Sequence, residues 1–212
     1  MIARILVMAA MELSLVSWSQ DKSLDILDKF QTTWDATKTY QASFQQSVFD
    51  KRLGTRETFE GDISIAKPSR LRWESKTDQS LQILNQKKLI HIQTNARRKV
   101  RTVDIYLDSS KTADTRMLNL LAGKVKFKQV YEAKLLQETP TAFELKLIPK
   151  SPQWDPYLAE IDKESYLLRA LTSDSNDSRV RIDFKQPKQG MELEDALFTY
   201  EKKADDVVHE NP

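Results

Sequence analysis

Two runs of alternating apolar and polar residues, joined by a short turn, constrain this chain most. Apolar residues alternate with polar ones over residues 40–48, and the alternation returns over residues 59–65. Gly54 lies in the break between the runs, and Pro68 ends the second run because proline cannot donate to a strand ladder. The segment therefore predicts a β-hairpin with one apolar face.

Short alternating runs continue along most of the chain. Their regular spacing predicts an antiparallel meander of about ten or more strands. The predicted strands lie at residues 40–49, 56–66, 70–75, 80–84, 89–94, 99–103, 125–136, 143–148, 156–162, 166–173, 179–184 and 198–200.

Residues 21–38 break the strand pattern, because their apolar residues recur at three- and four-residue steps, as in an amphipathic helix. Asp21 is placed to cap this helix. The apolar stripe consists of Leu24, Leu27, Phe30 and Trp34. We expect this stripe to cover a sheet.

Residues 112–124 show the same spacing and predict a second, shorter helix. Its stripe consists of Met117, Leu120 and Leu121. Gly123 is placed to end the helix, because glycine adopts the left-handed conformation common after a last turn. The pattern fits a helix packed permanently in a core as well as one that moves when a ligand enters.

Composition limits the classes of function. The chain has 212 residues, which suits one domain with a sizeable core. Its 33 basic and 31 acidic residues leave a formal charge of +2, so no strong field exists to hold nucleic acid. With no cysteine, the chain cannot form a disulfide, a thiolate metal site or a lipid-modified N-terminal cysteine.

The N-terminal residues resemble a targeting segment. Arg4 precedes an apolar stretch at residues 5–16, and the small residues Ser17 and Ser19 follow. This order predicts a signal peptide over residues 1–19 and an exported single domain over residues 20–212. The alternative is an N-terminal helix that is retained.

The sequence offers no local constellation for catalysis. Its two histidines, His91 and His209, have no nearby partners that would complete a metal site or a nucleophile relay. The pair Asp174 and Asp177 has a spacing too common to indicate a glycosidase. No glycine-rich phosphate loop occurs. We therefore expect a binding protein, not an enzyme, without metal or cofactor.

Basic residues surround the strands predicted at residues 89–94 and 99–103. They are Lys87, Lys88, Arg97, Arg98, Lys99 and Arg101. No aromatic residue lies among them to stack on bases, which argues against nucleic acid. We interpret them as protection of an edge strand against aggregation; the alternative is docking on an acidic partner at a membrane.

The hairpin also carries a recognisable order of residues. It reads F-x-Q-x-V from Phe44 and then G-x-I-x-I-x-K-P-x-x-L-R-W from Gly61 to Trp73. This order resembles the periplasmic outer-membrane lipoprotein carrier family (LolA-like proteins). The resemblance implies a mainly β fold with some helix: a strongly curved antiparallel sheet, forming an incomplete, open half-barrel of about 11 strands. Helices would cover its concave face.

The resemblance also implies a function. The family member would be a soluble periplasmic monomer without a lipid anchor, binding the acyl chains of lipoproteins in a hydrophobic cavity. It would take its cargo from an inner-membrane ABC-type release complex and deliver it to an outer-membrane receptor or acceptor. The alternative on the same scaffold is a periplasmic regulatory module that senses lipids or lipoproteins.

Candidate ligand-binding residues follow from the resemblance. Those of the cavity and its lid would be Phe30, Trp34, Phe44, Ile63, Ile65, Leu71, Trp73, Met117, Leu120 and Leu121. Lys67 stands where the family has an arginine that latches the lid. An ammonium lacks the planar fork of a guanidinium, so we expect a weaker latch. Alternatively, Lys67 merely flanks Pro68 at a strand end.

Overall fold

The computed structural model describes residues 22–95, 100–108 and 115–211. The predicted signal peptide at residues 1–19 and the predicted cap Asp21 lie outside these residues. Within the described part of the chain, no helix is both long and apolar enough to cross a membrane.

One sheet of twelve strands dominates the described structure. In space the strands follow the order β12-β6-β5-β4-β3-β2-β1-β11-β10-β9-β8-β7. In chain order they are β1 (Thr39–Asp50), β2 (Thr55–Ala66), β3 (Arg70–Ser75), β4 (Leu81–Asn85), β5 (Lys88–Asn95), β6 (Val100–Tyr106), β7 (Tyr131–Glu138), β8 (Ala142–Pro149), β9 (Tyr157–Asp162), β10 (Leu168–Asp174), β11 (Ser178–Gln189) and β12 (Asp206–Asn211). Among the described residues, the pairs are antiparallel apart from β12 with β6, which is parallel. The expected mainly β class and largely antiparallel sheet are confirmed.

The predicted hairpin lies at the centre of the sheet as β1 and β2. Phe44 is paired with Gly61 across the two strands. A Cβ atom on Gly61 would lie 1.9 Å from the carbonyl oxygen of Glu74 on β3 and 2.8 Å from the Phe44 ring. Glycine is therefore required here, because any side chain would push β3 and the Phe44 ring apart.

Within the described ranges, three helices pack on one face of the sheet, which we call the inner face. They are α1 (residues 22–36), α2 (Thr115–Leu121) and α3 (Phe127–Val130). The two predicted helices are thus confirmed within the described residues, and Gly123 follows α2 with a φ of 71°. The predicted stripe on α1 was wrong at Leu24, which is 50% exposed, because Ile26 occupies the buried position instead.

The opposite face, which we call the outer face, has its own apolar cluster. It consists of Ala66, Ile83, Ile90, Ile92, Val103, Ile105 and Phe198. Phe198 ends a 3-10 turn at Asp195–Phe198 and is 1% exposed. The side-chain amide of Asn85 donates to the carbonyl of Phe198 at 3.1 Å. The chain after β11 therefore crosses and covers this part of the outer face.

A buried carboxylate fixes the end of that segment to β6. Arg101 donates to Asp206 through Nε at 2.6 Å and through Nη2 at 2.8 Å. The hydroxyl of Tyr200 and the backbone N–H of Lys203 also donate to Asp206, at 2.6 Å and 2.8 Å. The Arg101 hydrogen bond is the main reason that the pKa of Asp206 lies well below its ordinary value.

Two predicted strands were wrong in position. The strand predicted at residues 198–200 is replaced by the 3-10 turn, and the last strand is β12. The strand predicted at residues 125–136 begins only at Tyr131, because α3 comes first. Phe127 and Tyr131, one helical turn apart, are both 1% exposed, and their ring centroids are 6.4 Å apart. Residues i and i+4 share one face in a helix and in a strand alike, so the buried pair could not distinguish the two in the sequence.

The interpretation that the basic residues protect an edge strand was also wrong. Strand β12 pairs with β6 along residues 206–211, so the hairpin of β5 and β6 does not form the margin of the sheet. Arg101 is engaged with Asp206 rather than protecting an edge. Residues 97–99 lie outside the described residues.

Candidate functional site

Five of the predicted cavity residues lie together on the inner face of β1, β2 and β3. Their exposed fractions range from 0% to 9%, and they are Phe44, Ile63, Ile65, Leu71 and Trp73. The ring centroids of Phe44 and Trp73 are 4.4 Å apart. Because alternate residues of neighbouring strands point to the same face, these side chains form one continuous apolar surface.

Helix α1 places two aromatic side chains on this surface. Phe30 and Trp34 are stacked with ring centroids 6.2 Å apart, and both are almost fully buried. The indole of Trp34 also meets the ring of Tyr40 on β1 edge-on at 5.2 Å. The apolar stripe predicted for residues 21–38 therefore covers the sheet, and Trp34 contacts the central strand directly.

Helix α2 covers the same surface beside α1. Leu120 and Leu121 are each 1% exposed and belong to the inner cluster, and Met117 is partly buried against it. We call α1 and α2 the covering helices. All ten predicted cavity and lid residues thus lie in or against a single apolar cluster.

The space between the covering helices and the sheet is closed. The space among seven side chains is too narrow to hold even one water molecule: Trp34, Tyr40, Ile63, Ile65, Leu121, Leu168 and Phe184. Pockets that hold small ligands typically measure about 300–1,000 Å³. A ligand can therefore enter this interior only if a covering helix moves away from the sheet.

Lys67, which stands at the end of β2, reaches the last turn of α1. Its Nζ donates to the carbonyl oxygen of Trp34 and lies 3.9 Å from the centroid of the Trp34 ring. Its backbone N–H donates to the carbonyl of Lys38 at 2.8 Å. Burial lowers the pKa of Lys67 to about 7, while Asp35 acts in the opposite direction. Lys67 thus ties the C-terminal end of α1 to the sheet.

The turn between β2 and β3 also contacts the end of α2. The N–H of Ser69 donates to the carbonyl of Ala122 at 3.0 Å. A Cβ atom on Gly123 would lie 2.9 Å from Cδ of Lys67. Both covering helices therefore meet the sheet at residues 67–69. The sequence predicted Gly123 only as a helix end, because no local pattern relates it to Lys67.

Each covering helix also buries a polar atom without a hydrogen-bond partner among the described residues. These atoms are Nε1 of Trp34 on α1 and Oδ1 of Asn119 on α2. An unpaired buried polar group costs about 1–3 kcal/mol. The closed arrangement is therefore less stable than a fully paired interface of the same area would be. Asn119 was missed by the sequence analysis, because its neighbours alone suggested an apolar stripe.

No metal-binding cluster occurs in the part of the chain that the structure describes, where no three or more His, Asp or Glu side chains converge. His91 lies on β5, and Nδ1 of His209 on β12 lies 3.2 Å from a carboxylate oxygen of Asp104. In the sheet order β5 lies two strands from β3, and β12 is the strand at the margin beyond β6.

Comparison with known families identifies one match. A family model described as "Outer membrane lipoprotein carrier protein LolA" matches residues 35–201. No curated protein sequence matches the chain. The matched range begins within α1, after Phe30 and Trp34, and ends after the 3-10 turn. It includes the strands of the inner face, α2 and the turn at residues 67–69.

One solved structure shows a similar fold, and weaker matches accompany it. An uncharacterized conserved protein from Thermus thermophilus is 13% identical, with a TM-score of 0.54, and the match covers 88% of this chain and 98% of that one. Two others have a TM-score of 0.45 and match 84% of this chain and 97% of theirs. They are an outer membrane lipoprotein-sorting protein domain from Vibrio parahaemolyticus, 8% identical, and a LolA superfamily protein from Nitrosomonas europaea, 10% identical.

Proposed function

Because this chain belongs to the LolA family of outer membrane lipoprotein carrier proteins, we propose that it binds the acyl chains of lipoproteins on its inner face and carries them between membranes. The carriers of this family act in the periplasm and are not enzymes. No covalent step is part of the proposal. The observation that carries it is the closed apolar interior under two helices tied to the sheet at residues 67–69.

Moving an acyl chain through water requires an apolar shelter. Exposing a chain to water costs about 0.8 kcal/mol per methylene group, so a carrier must offer a comparable apolar surface. The inner face offers that surface through its buried aliphatic and aromatic side chains. We propose that the sheet curls around it as an open half-barrel whose concave side is the inner face.

Binding requires the covering helices to move. The acyl chains would take the place of Phe30 and Trp34 from α1 and of Met117, Leu120 and Leu121 from α2. One apolar partner replaces another, so the free energy of the exchange is small compared with that of exposing the sheet to water. A small difference allows the cargo to be released again, which a carrier needs as much as binding.

We assign Lys67 the role of a latch in this cycle. Its contact with the carbonyl of Trp34 holds α1 closed, and the packing of its stem against Gly123 links that contact to the end of α2. A lysine has no planar fork for bidentate bonds, so this latch is less directional than an arginine at the same place.

The partners follow from the direction of transport. We propose that the protein acts as a monomer, receives its cargo from an inner-membrane ABC-type release complex and passes it to an outer-membrane receptor or acceptor. In a cell depleted of the protein, lipoproteins should accumulate in the inner membrane. A change in signalling with normal lipoprotein sorting would point to a sensing role instead.

Native mass spectrometry and a transfer assay test the proposal together. The purified protein should bind a triacylated lipopeptide and pass it to acceptor vesicles. Lys67→Leu should change the rate of release by roughly fivefold, since an intramolecular hydrogen bond contributes about 1 kcal/mol net. Circular dichroism should show an unchanged fold.

Lys38→Leu is the matched control, because Lys38 is exposed beside the same turn and contributes only its backbone carbonyl. It should leave release unchanged. A protein that neither binds the lipopeptide nor keeps it from aggregating would contradict the carrier role, and loss of fold in Lys67→Leu would contradict the latch role.

A further inference from the structure

The ammonium of Lys67 is held in the closed structure without a counter-ion of its own. Its Nζ lies over the indole of Trp34 and donates to a main-chain carbonyl, while its stem packs on Gly123. Among the described residues, no carboxylate forms a salt bridge with it. A cation taken out of water in this way is disfavoured relative to the neutral amine.

The charged groups around Lys67 do not supply the missing counter-charge. On α1, the nearest carboxylate is that of Asp35, which lies 3.0 Å from Nζ of Lys126 and accepts from Gln31 at 2.8 Å. In the segment after α2, Lys124 directs its own Nζ at the carbonyl of Gln86. On the strand that follows the turn, Arg70 is paired with Asp195. Asp35 is therefore shared with another lysine, and Lys124 and Arg70 are themselves cations.

We propose that Lys67 makes closure of the inner face depend on pH, with acid favouring release of the covering helices from the sheet. The proposal rests on the proposed function, because this release is what would admit or free an acyl chain. An arginine at this position stays charged at every physiological pH and would give no such dependence.

The sign follows from the two states of the side chain. In the closed state, burial lowers the pKa of Lys67 to about 7. When the helices move away, water returns and the pKa rises toward the ordinary value of about 10.4. The open state therefore binds the proton more tightly. Below about pH 7 both states are protonated and the dependence ends, and between about pH 7 and the open-state value of about 10.4 each rise in pH favours closure.

The absence of cysteine from the chain allows a single thiol to report on opening. Leu121→Cys places this thiol in the closed interior, where reagent reaches it only when a helix opens. Its labelling rate, divided by that of the exposed control Thr32→Cys at the same pH, gives the open fraction. We expect this fraction to rise on the order of tenfold between about pH 8.5 and pH 6.5.

Two variants of Lys67, measured with the same thiol, isolate its contribution to the pH dependence. Lys67→Arg is always charged and Lys67→Met never is, so the open fraction should not vary with pH in either. His91 and His209 are present in all three proteins, so their titration cancels. Val103→Cys reports on global unfolding, because Val103 is buried in the outer cluster. Its thiol should be better protected than that of Leu121→Cys if the opening is local.

The outcomes separate the two proposals. An open fraction that does not change with pH when Lys67 is present, or that changes equally with Lys67→Met, overturns the pH-dependent latch. If the lipopeptide still binds in that case, the carrier function stands. If the pH dependence is found and the lipopeptide does not bind, the carrier function fails while the latch remains.

Discussion

The inner face is covered by α1 and α2, and the outer face is covered at β3–β6 by the C-terminal segment at residues 190–205, which leads into β12. The C-terminal segment is fixed by Asp206, which accepts four hydrogen bonds, and by a parallel strand along β6. The covering helices are held by apolar contacts and by a few bonds at residues 67–69, and among the described residues each buries an unpaired polar atom. Helix α1 also makes polar contacts with β7 and α3: Ser23 Oγ accepts from the N–H of Leu135 at 2.9 Å, Gln31 Oε1 accepts from the N–H of Lys128 at 3.3 Å, and Lys22 pairs with Glu138.

This difference indicates which cover can move. Directional bonds to a buried carboxylate are broken when the C-terminal segment leaves the sheet, and no apolar ligand can replace them. When α1 or α2 leaves, an acyl chain that enters can restore the apolar packing on the sheet. The covering helices are therefore suited to exchange with a ligand, and the C-terminal segment is suited to keeping the sheet intact during that exchange.

The largest expected loss of stability comes from a change in the C-terminal segment. Phe198→Ala should lower the free energy of unfolding by about 3–5 kcal/mol, because it leaves a cavity at a fully buried ring. Guanidinium denaturation followed by circular dichroism measures this loss. Binding of the lipopeptide at the inner face should remain within about twofold, since the two clusters lie on opposite faces.

Leu53→Ala is the control for Phe198→Ala, because Leu53 is 74% exposed. It should change stability by less than about 0.5 kcal/mol. If Phe198→Ala weakened lipopeptide binding and left stability unchanged, the assignment of the two faces would have to be reversed.

A smaller loss is expected from the buried carboxylate. Asp206→Asn should lower the free energy of unfolding by about 1.5–3 kcal/mol, because it removes charge-assisted bonds to Arg101. Asp205→Asn, at the exposed neighbouring residue, should have little effect. Equal losses in the two variants would show that the buried ion pair does not fix the segment.

The loss of stability caused by Asp206→Asn should depend on pH in a defined direction. The pKa of Asp206 is lowered by folding, so its stabilisation is complete above the unfolded value of about 3.9 and disappears as pH falls. The difference in stability between the wild type and Asp206→Asn should therefore narrow between about pH 5 and pH 2. Denaturation curves at several pH values measure it, and a difference that widened would exclude this origin.

The smallest expected effect is a gain in stability at the covering helices. Asn119→Leu removes the unpaired acceptor on α2 and should stabilise the closed protein by about 1–2 kcal/mol. Uptake of the lipopeptide should become slower, because opening then starts from a more stable state. The matched control is Asn176→Leu at an exposed position. A less stable Asn119→Leu protein with faster uptake would show that this amide has a partner in the closed state.

The sequence predicted the central strands well because each has one buried and one exposed face. The bounds of β3 coincide with the predicted residues 70–75, and β1 and β2 lie within one residue of their predicted ends. The strand β12 was missed because its two valines lie among charged residues and its partner is β6, far away in the sequence. The position of α3 was missed because four residues are too few for helical periodicity to stand out.

The sequence predicted which residues belong to the candidate site, but not whether they form a permanent core or a ligand cavity. Phe30, Trp34 and Leu121 were found because apolar periodicity marks buried residues. Periodicity cannot tell a permanent core from a ligand cavity, since both bury the same side chains. The partners of Lys67, namely the carbonyl of Trp34 and the close approach of Gly123, depend on how distant segments meet, and no local pattern encodes that.

The most direct test of the exchange at the inner face is photo-crosslinking with a lipopeptide that carries a diazirine in its acyl chain. After illumination, peptide mapping should place the adducts on inner-face residues such as Ile63, Trp34 and Leu121, with none on the outer cluster around Val103. Adducts confined to the outer face, or a protein that stays unlabelled while it binds the lipopeptide, would contradict an acyl site between the sheet and its covering helices.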